Sequence, residues 1–272
     1  MTAFFHHFMY DFRVGLRNKS LLLLNYLFPL GVYILMGMLL TGLNPTFAPT
    51  MIPAMVLVTM MSCTLLGMPN PVVESREAGI FRSFRINGVP ALSIIIIPML
   101  TSFVHIALVS TFITFTAGPF FDAGIPTHWG YYVLILLLAS FTFAALGMLI
   151  GVASPNMNAV PLFSQLIFLP SMLLGGLMIP SEMLPPFLYR ISLLLPTTHA
   201  MTAWRGLAFG MSTTYDPLWG VLVLLTSGIL AFCLAVYLFT WDSKNRRKGH
   251  NPLLALLAMI PFVVSMILLP VK

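Results

Sequence analysis

Charge is what this sequence lacks. Only 7% of its 272 residues are Asp, Glu, Lys or Arg, while 59% are hydrophobic. A soluble domain carries about 25% charged residues. The composition therefore excludes a soluble globular protein and points to one embedded in a membrane. Apolar–polar alternation is missing too. The apolar runs are continuous over about 20 residues, the length a helix needs to cross about 30 Å of hydrocarbon. Helices are expected, and a β-barrel is not. Cysteine is nearly absent: Cys63 and Cys233 both fall inside apolar runs, which suits packing and offers neither a disulfide nor a metal site. The 19 methionines read the same way, as packing or lipid-facing residues.

Acidic residues are especially few. The seven carboxylates are Asp11, Glu74, Glu77, Asp122, Glu182, Asp216 and Asp242, and each lies in a loop or at the end of an apolar run. Carriers driven by proton or sodium gradients use acidic or unwound sites near the midplane, and no buried acid is offered here. GxxxxGK[ST] is absent, so this chain has no P-loop for ATP. HExxH and GxSxG are absent as well, which argues against an intramembrane hydrolase. No polar segment is long enough for an ATPase domain. The net charge of +6 reads as membrane topology rather than nucleic-acid binding.

What is present divides into runs. Residues 1–19 place Phe4, Phe5, Phe8, Met9, Phe12 and Leu16 at helical spacing, with Asp11, Arg13 and Arg17 elsewhere on the wheel. That pattern predicts an interfacial amphipathic helix. Residues 20–241 predict a six-helix transmembrane bundle, with spans near 20–41, 51–71, 91–117, 131–153, 160–179 and 218–241. No small-residue cleavage site follows the first run, so it reads as a retained span and not a signal peptide. Residues 242–251 form a basic linker with Lys244, Arg246, Arg247 and Lys248. The run 252–271 is long enough for a seventh span, with Pro261 and Pro270 inside it.

Two segments interrupt this pattern. In 180–217 the apolar pieces 183–195 and 199–210 are each about 18 Å of helix, too short to cross. They predict a re-entrant hairpin buried against protein. In 72–90 five charges, Glu74, Arg76, Glu77, Arg82 and Arg85, occur together. Each would cost about 2.5–3.5 kcal/mol at the bilayer centre, so this loop lies in water. Within it Ile80, Phe81 and Phe84 share one helical face, and Arg82 and Arg85 lie beside it. Such a helix either lies along the membrane or presses its ridge into a groove on a partner. With the N-terminus inside, the loop and the basic linker are cytoplasmic, and of the 13 lysines and arginines only Arg190, Arg205 and Lys272 are external. The hairpin is then external.

The stretch ESREAGIFRSFRINGVP resembles the cytoplasmic coupling segment of ATP-binding-cassette (ABC) transporter permeases of the type-2 exporter class, through Glu74, Arg76, Glu77, Gly79, Arg82, Arg85 and Pro90. The stretch from Gly151 to Gly210 resembles the family's second signature, through Gly175, Gly176, Pro180, Pro185, Pro196 and Arg205. Ile80 departs from the threonine common there, and the run after Pro252 exceeds the usual six spans. The likeness covers about residues 1–245. It implies a permease subunit, in a homodimer or heterodimer with a second permease, moved by separate ABC ATPase subunits. These would dock on Glu74, Arg76, Glu77, Gly79, Phe81, Arg82, Phe84, Arg85 and Pro90. ATP and Mg would bind to the ATPase partner and no cofactor to this chain. The hairpin, with Pro180, Glu182, Pro185, Pro196, His199 and Arg205, would gate the outer end. The implied location is a prokaryotic cell membrane. The other two readings are an ion-gradient carrier and a non-transporting membrane scaffold. His105, Asn25 and Gln165 are the polar residues inside apolar runs. They are candidates for the transport pathway, or for hydrogen bonds between helices.

Overall fold

The computed structural model describes residues 2–43, 47–241 and 251–269. The basic linker residues Lys244, Arg246, Arg247 and Lys248, together with Pro270 and Lys272, lie outside the described residues, and so does the side chain of Glu182. Among the described residues the regular structure is entirely helical.

Helix α1 spans Thr2–Arg17. Asn18 ends it and starts the next: its side-chain oxygen accepts from the backbone N–H groups of Ser20 and Leu21 at 2.9 and 3.2 Å. This is the capping chemistry that asparagine supplies at a helix start. Helix α2 then runs as Lys19–Leu22, a π-turn at Leu23–Leu27, and Phe28–Leu43. Helix α3 covers Ala48–Glu77 and contains a second π-turn, Ser62–Gly67. Every residue of Met51–Met61 is buried, so α3 is the central element. The other helices pack around it.

The short helix α4 spans Ile80–Ile86, α5 spans Ala91–Phe121 and α6 spans Trp129–Ala153. Helix α7 is Ala159–Leu174, α8 is Pro186–Ser192, and α9 is Pro196–Ala203 extended by the π-turn Trp204–Ala208. Helix α10, Pro217–Leu238, starts at Asp216, whose carboxylate accepts from the Leu218 N–H at 2.9 Å. Helix α11 opens as a 3₁₀ segment, Pro252–Met259, and continues as Ile260–Leu268.

Glycines set the closest contacts. An ideal Cβ at Gly147 of α6 would sit 2.1 Å from the Thr64 carbonyl oxygen of α3, so only glycine allows these two backbones to meet. Thr142 of α6 donates to the Leu224 carbonyl of α10 at 2.9 Å.

Five helices are long and apolar enough to cross a membrane: Lys19–Leu40, Ala48–Glu77, Ala91–Phe121, Trp129–Ala153 and Pro217–Leu238. The chain is a multi-pass, all-helical membrane protein. The fifth expected span is shorter than its apolar run. Helix α7 stops at Leu174 because the chain turns at Gly175 and Gly176. A Cβ on Gly175 would meet the Thr197 hydroxyl at 2.1 Å, and Gly176 has a φ of 80°. At about 1.5 Å per residue, α7 is roughly 24 Å long. Helix α11 runs antiparallel to α10. Ser227 of α10 donates to the Ala258 carbonyl at 3.1 Å, and Trp219, a turn from the start of α10, donates to Ser265 at 3.2 Å.

The charged loop also differs from the expectation. It is not a loop as far as Glu77. Pro69 occupies the first turn of the helical stretch Pro69–Glu77, where its missing N–H costs nothing. The helix therefore restarts after the π-turn and runs past the expected end of the second span near residue 71. At about 1.5 Å per residue, α3 and α5 each reach roughly 45 Å, well beyond a 30 Å hydrocarbon core. They form a stalk, and α4 is the elbow at its tip.

Candidate functional site

The elbow is built by two left-handed glycines. Gly79 has a φ of 75° and Gly88 of 74°, conformations that a Cβ disfavours. The first turns the chain from α3 into α4, and the second turns it out of α4 towards Pro90 and α5. The turn at Gly79 brings Arg76, at the end of α3, under the bundle. Its side chain is 4% exposed. The guanidinium donates to the carbonyl oxygens of Val152 at 2.9 Å and Ser154 at 2.5 Å. These are carbonyls at the end of α6, which have no partner within their own helix. A cation there also matches the negative end of the helix dipole. The same contact holds the turn 154–158, in which the Asn156 side chain accepts from the Ala159 N–H at 3.1 Å and starts α7. One arginine thus ties the elbow to the α6–α7 turn.

Of the other residues singled out in this segment, Glu74, Glu77, Arg82, Arg85 and Pro90 are exposed, and Gly79 is half-buried. Phe81 is buried. Its ring lies 5.6 Å from that of Phe239, at the end of α10, and 6.5 Å from Phe84. Phe84 in turn meets His7 of α1 edge-on at 5.4 Å. The aromatic ridge therefore packs on this chain, and no phenylalanine of the elbow is offered outward. The outward face instead carries Glu77, Arg82, Arg85 and Ile86, the last 80% exposed.

Beneath the elbow is a cavity of about 590 Å³, walled by α1, the start of α2, the end of α3, α4 and α5. His105 and Asn25 both line it. The Tyr26 hydroxyl lies 2.5 Å from His105 Nδ1, and the ring of Phe12 stacks on His105 at 5.1 Å. Phe12 belongs to α1, whose Arg13 and Arg17 are exposed. His105 therefore lies at the depth of α1 and not in the middle of the bundle, because the Ala91 end of the long helix α5 belongs to the stalk. Gln165 is elsewhere: it is exposed on α7 between Leu162 and Leu169. Asp11 of α1 also lines the cavity. Burial raises its pKa, and a hydrogen bond from Thr101 and the nearby His7 partly oppose that.

Two π-turns form the inner end of the cavity. Ser62 donates to the Leu24 carbonyl, and the Cys63 thiol reaches the Asn25 carbonyl at 3.8 Å. π-Turns free backbone carbonyls and occur often at functional sites. Polar residues at 25, 62 and 63 inside apolar runs were the visible signal, but nothing in the sequence shows that those two turns face each other.

The 180–217 segment is far more buried than an ordinary surface loop. Every residue of Pro196–Ala203 is buried, including Pro196 and His199. His199 donates from Nε2 to the Leu193 carbonyl at 2.9 Å, and the Tyr215 hydroxyl donates to its Nδ1 at 2.9 Å. Phe262 of α11 lies 5.7 Å from the His199 ring. Burial pushes the His199 pKa down to about 4, so it is neutral. Arg205 is half-buried and donates to the Ser212 carbonyl at 3.4 Å. Pro180 is half-buried and Pro185 exposed. Among the described residues, no three His, Cys, Asp or Glu side chains are grouped to hold a metal ion.

The chain is 29% identical over 122 residues to the inner membrane transport permease YadH of Escherichia coli K12, a match covering 44% of this chain and 45% of that protein. It is 30% identical over 80 residues to nodulation protein J of Neorhizobium galegae, covering 29% of this chain and 30% of that one. The matched segments thus span less than half of the curated relatives. No solved structure matches. A family model described as ABC-2 type transporter matches residues 2–209, which include α1, the stalk, the elbow and most of the buried hairpin, and the chain belongs to that family.

Proposed function

We propose that this chain is the membrane-spanning permease of an ATP-driven exporter, and that a separately encoded ABC ATPase docks on its elbow. The observation that carries this is the elbow itself. Its outward face displays Glu77, Arg82, Arg85 and Ile86, while Arg76 anchors its base to the end of α6. A push on such a projection reaches α6 and α7 through hydrogen bonds instead of being absorbed by a flexible loop. The name of the YadH relative, a transport permease, supports the same reading.

In this reading α1 lies along the cytoplasmic surface, and the elbow and the 154–158 turn are cytoplasmic. The α8–α9 hairpin dips into the outer leaflet as an external gate. Helix α11 makes a further crossing, since its 3₁₀ part rises about 2.0 Å per residue and stretches the element to roughly 30 Å. Two permeases pair to form the pathway. Helices α2 and α7 carry exposed apolar faces suited to lipid or to a second permease, such as Met38 at 72% and Leu162 and Leu166 at 69% exposure. ATP and Mg bind to the ATPase.

The test is co-expression with an ATPase encoded beside this chain, followed by purification and ATPase measurement in proteoliposomes. A stable complex whose ATP hydrolysis depends on the permease is expected. A Ser83→Cys variant, at an exposed elbow position, is expected to resist an impermeant thiol reagent on intact cells. Labelling from outside, or transport by the chain alone under a pH gradient, would overturn the reading.

A further inference from the structure

We infer that the cavity between α1 and the elbow is a binding site for an organic cation with an apolar body, such as an ammonium or phosphonium amphiphile. The inference concerns this chain alone and stands whether or not an ATPase docks.

Size permits it. At about 590 Å³ the cavity falls within the roughly 300–1,000 Å³ typical of small-molecule sites. Its walls are largely apolar, with Val14, Leu21, Met68, Val72, Ile94 and Pro98 among them. The sign of charge selects the ligand. Asp11 lies half-buried in one wall and Glu74 is exposed at the mouth, and among the described residues no lysine or arginine lines the cavity. That is contrary to the surroundings, because the chain has 13 basic residues against seven acidic ones. Arg13, Arg17, Arg82 and Arg85 all belong to the two helices that cover the cavity, yet all four are exposed away from it. A phosphate or carboxylate ligand would meet two like charges there, whereas a cation would meet two opposite ones. The rings of Tyr10, Phe81 and Phe84 add aromatic faces, which attract cations through the ring quadrupole.

The inner end supplies an independent observation. Asn25 is 6% exposed, and its side-chain oxygen has no hydrogen-bond partner among the described residues. The same holds for Nε2 of His105, which is 2% exposed. Buried polar atoms in folded proteins are almost always paired. Both tips lie against glycines that line the cavity. A Cβ at Gly67 would be 3.0 Å from the Asn25 oxygen, and one at Gly15 would be 3.5 Å from His105 Nε2. The asparagine oxygen is an acceptor, so it complements an N–H donor or the positive rim of an onium group. The cavity thus runs from an acidic mouth, through apolar and aromatic walls, to an unpaired acceptor.

Equilibrium binding to the purified full chain in detergent tests this, with radiolabelled tetraphenylphosphonium against tetraphenylborate, an anion of the same shape. Saturable binding of the phosphonium near one per chain is expected, with no saturable binding of the borate. Asp11→Asn is nearly isosteric, and it should weaken phosphonium binding about tenfold, the effect of removing one partly buried opposite charge. Its thermal unfolding midpoint, measured alongside, should not fall. Glu74→Gln, at the exposed mouth, should weaken binding about threefold, because solvent screens it. Tyr10→Ala provides a second variant at the exposed rim and should also weaken binding. Equal binding of the two probes, no saturable phosphonium binding, or unchanged binding in the Asp11→Asn and Glu74→Gln double variant would each overturn the inference.

Discussion

The guanidinium of Arg76 donates to the carbonyl oxygen of Val152 at 2.9 Å, joining the tip of α3 to the end of α6 across 76 positions of sequence. In a chain with so few charges, this one is buried, and it donates to backbone carbonyls. An α-helix leaves its last carbonyls unpaired, and in a protein end that is only partly wet each needs a donor. Arg76 meets this need with a planar fork that reaches more than one of them. The elbow's position therefore depends on where α6 ends.

Arg76→Met keeps an unbranched apolar stem and removes the donors. Hydrogen bonds to a charged group are each worth on the order of 1.5–3 kcal/mol, so the thermal midpoint in detergent should fall. Trypsin should cut faster at Arg82 and Arg85, since the elbow would swing free. Arg76→Lys should recover part of the loss. Wild-type protease resistance in the methionine variant would remove the anchor from this account.

Within the elbow, docking and folding should separate. Arg82 and Arg85 are exposed, and reversing both to glutamate should change stability by no more than about 0.5 kcal/mol. It should nonetheless abolish co-purification with the ATPase. Phe81 is buried against Phe239, and Phe81→Ala should destabilise by about 3–5 kcal/mol. Measured unfolding midpoints and pull-down yields for the two variants should move in opposite columns. If the charge reversal leaves binding intact, the outward face is not the docking face.

Gly147 and Gly31 make a matched pair. A methyl at Gly147 would collide with the Thr64 backbone carbonyl, whereas one at Gly31 meets nothing within 4 Å. Gly147→Ala should therefore force α3 and α6 apart at a cost of about 1–3 kcal/mol. Gly31→Ala should be neutral or stabilise by about 0.5–1 kcal/mol through helix propensity. Thermal melts of both variants, purified in one detergent, check the contrast.

His199 should make the hairpin acid-sensitive. Its pKa is pushed from 6.5 down to about 4 by burial. When folded it stays neutral through that window, while the unfolded chain takes up a proton first. Its contribution is therefore fully present above pH 6.5 and is lost as pH falls towards 4. The loss is on the order of 1.4 kcal/mol per pH unit. His199→Gln can still offer a donor to Leu193 and an acceptor to Tyr215, and it should flatten the midpoint between pH 7 and 4.5. An equally steep profile in the glutamine variant would assign the acid loss to another group.

Several features were legible in the residues alone. The apolar runs marked α2, α3, α5, α6 and α10, because twenty consecutive apolar residues have few stable environments other than lipid. The paired signatures around Glu74 and Gly175 marked the family. What was not legible has a common origin. The second span reads as ending near residue 71, but a proline in a first turn is compatible with a helix, and the π-turn just before Pro69 makes that position a first turn. Phe81 and Phe84 looked like a ridge for a partner, since the wheel shows a face and not what covers it. His105 reads as a polar residue inside an apolar run, and no count along that run shows that Phe12 of α1 stacks on it.

By itself the sequence determined a helical membrane protein with a short charged elbow between two of its longest helices, and membership of a known family. Those follow from quantities that add up locally: hydrophobicity along a run and the spacing of a motif. Only the tertiary structure decided that Arg76 turns inward while Arg82 and Arg85 turn out. Only it placed Asp11, Glu74, Asn25 and His105 around one cavity. The reason is that a side chain's surroundings are set by which distant backbones meet. Those meetings depend on glycine contacts, helix ends and π-turns across the whole bundle, and no window of sequence contains them.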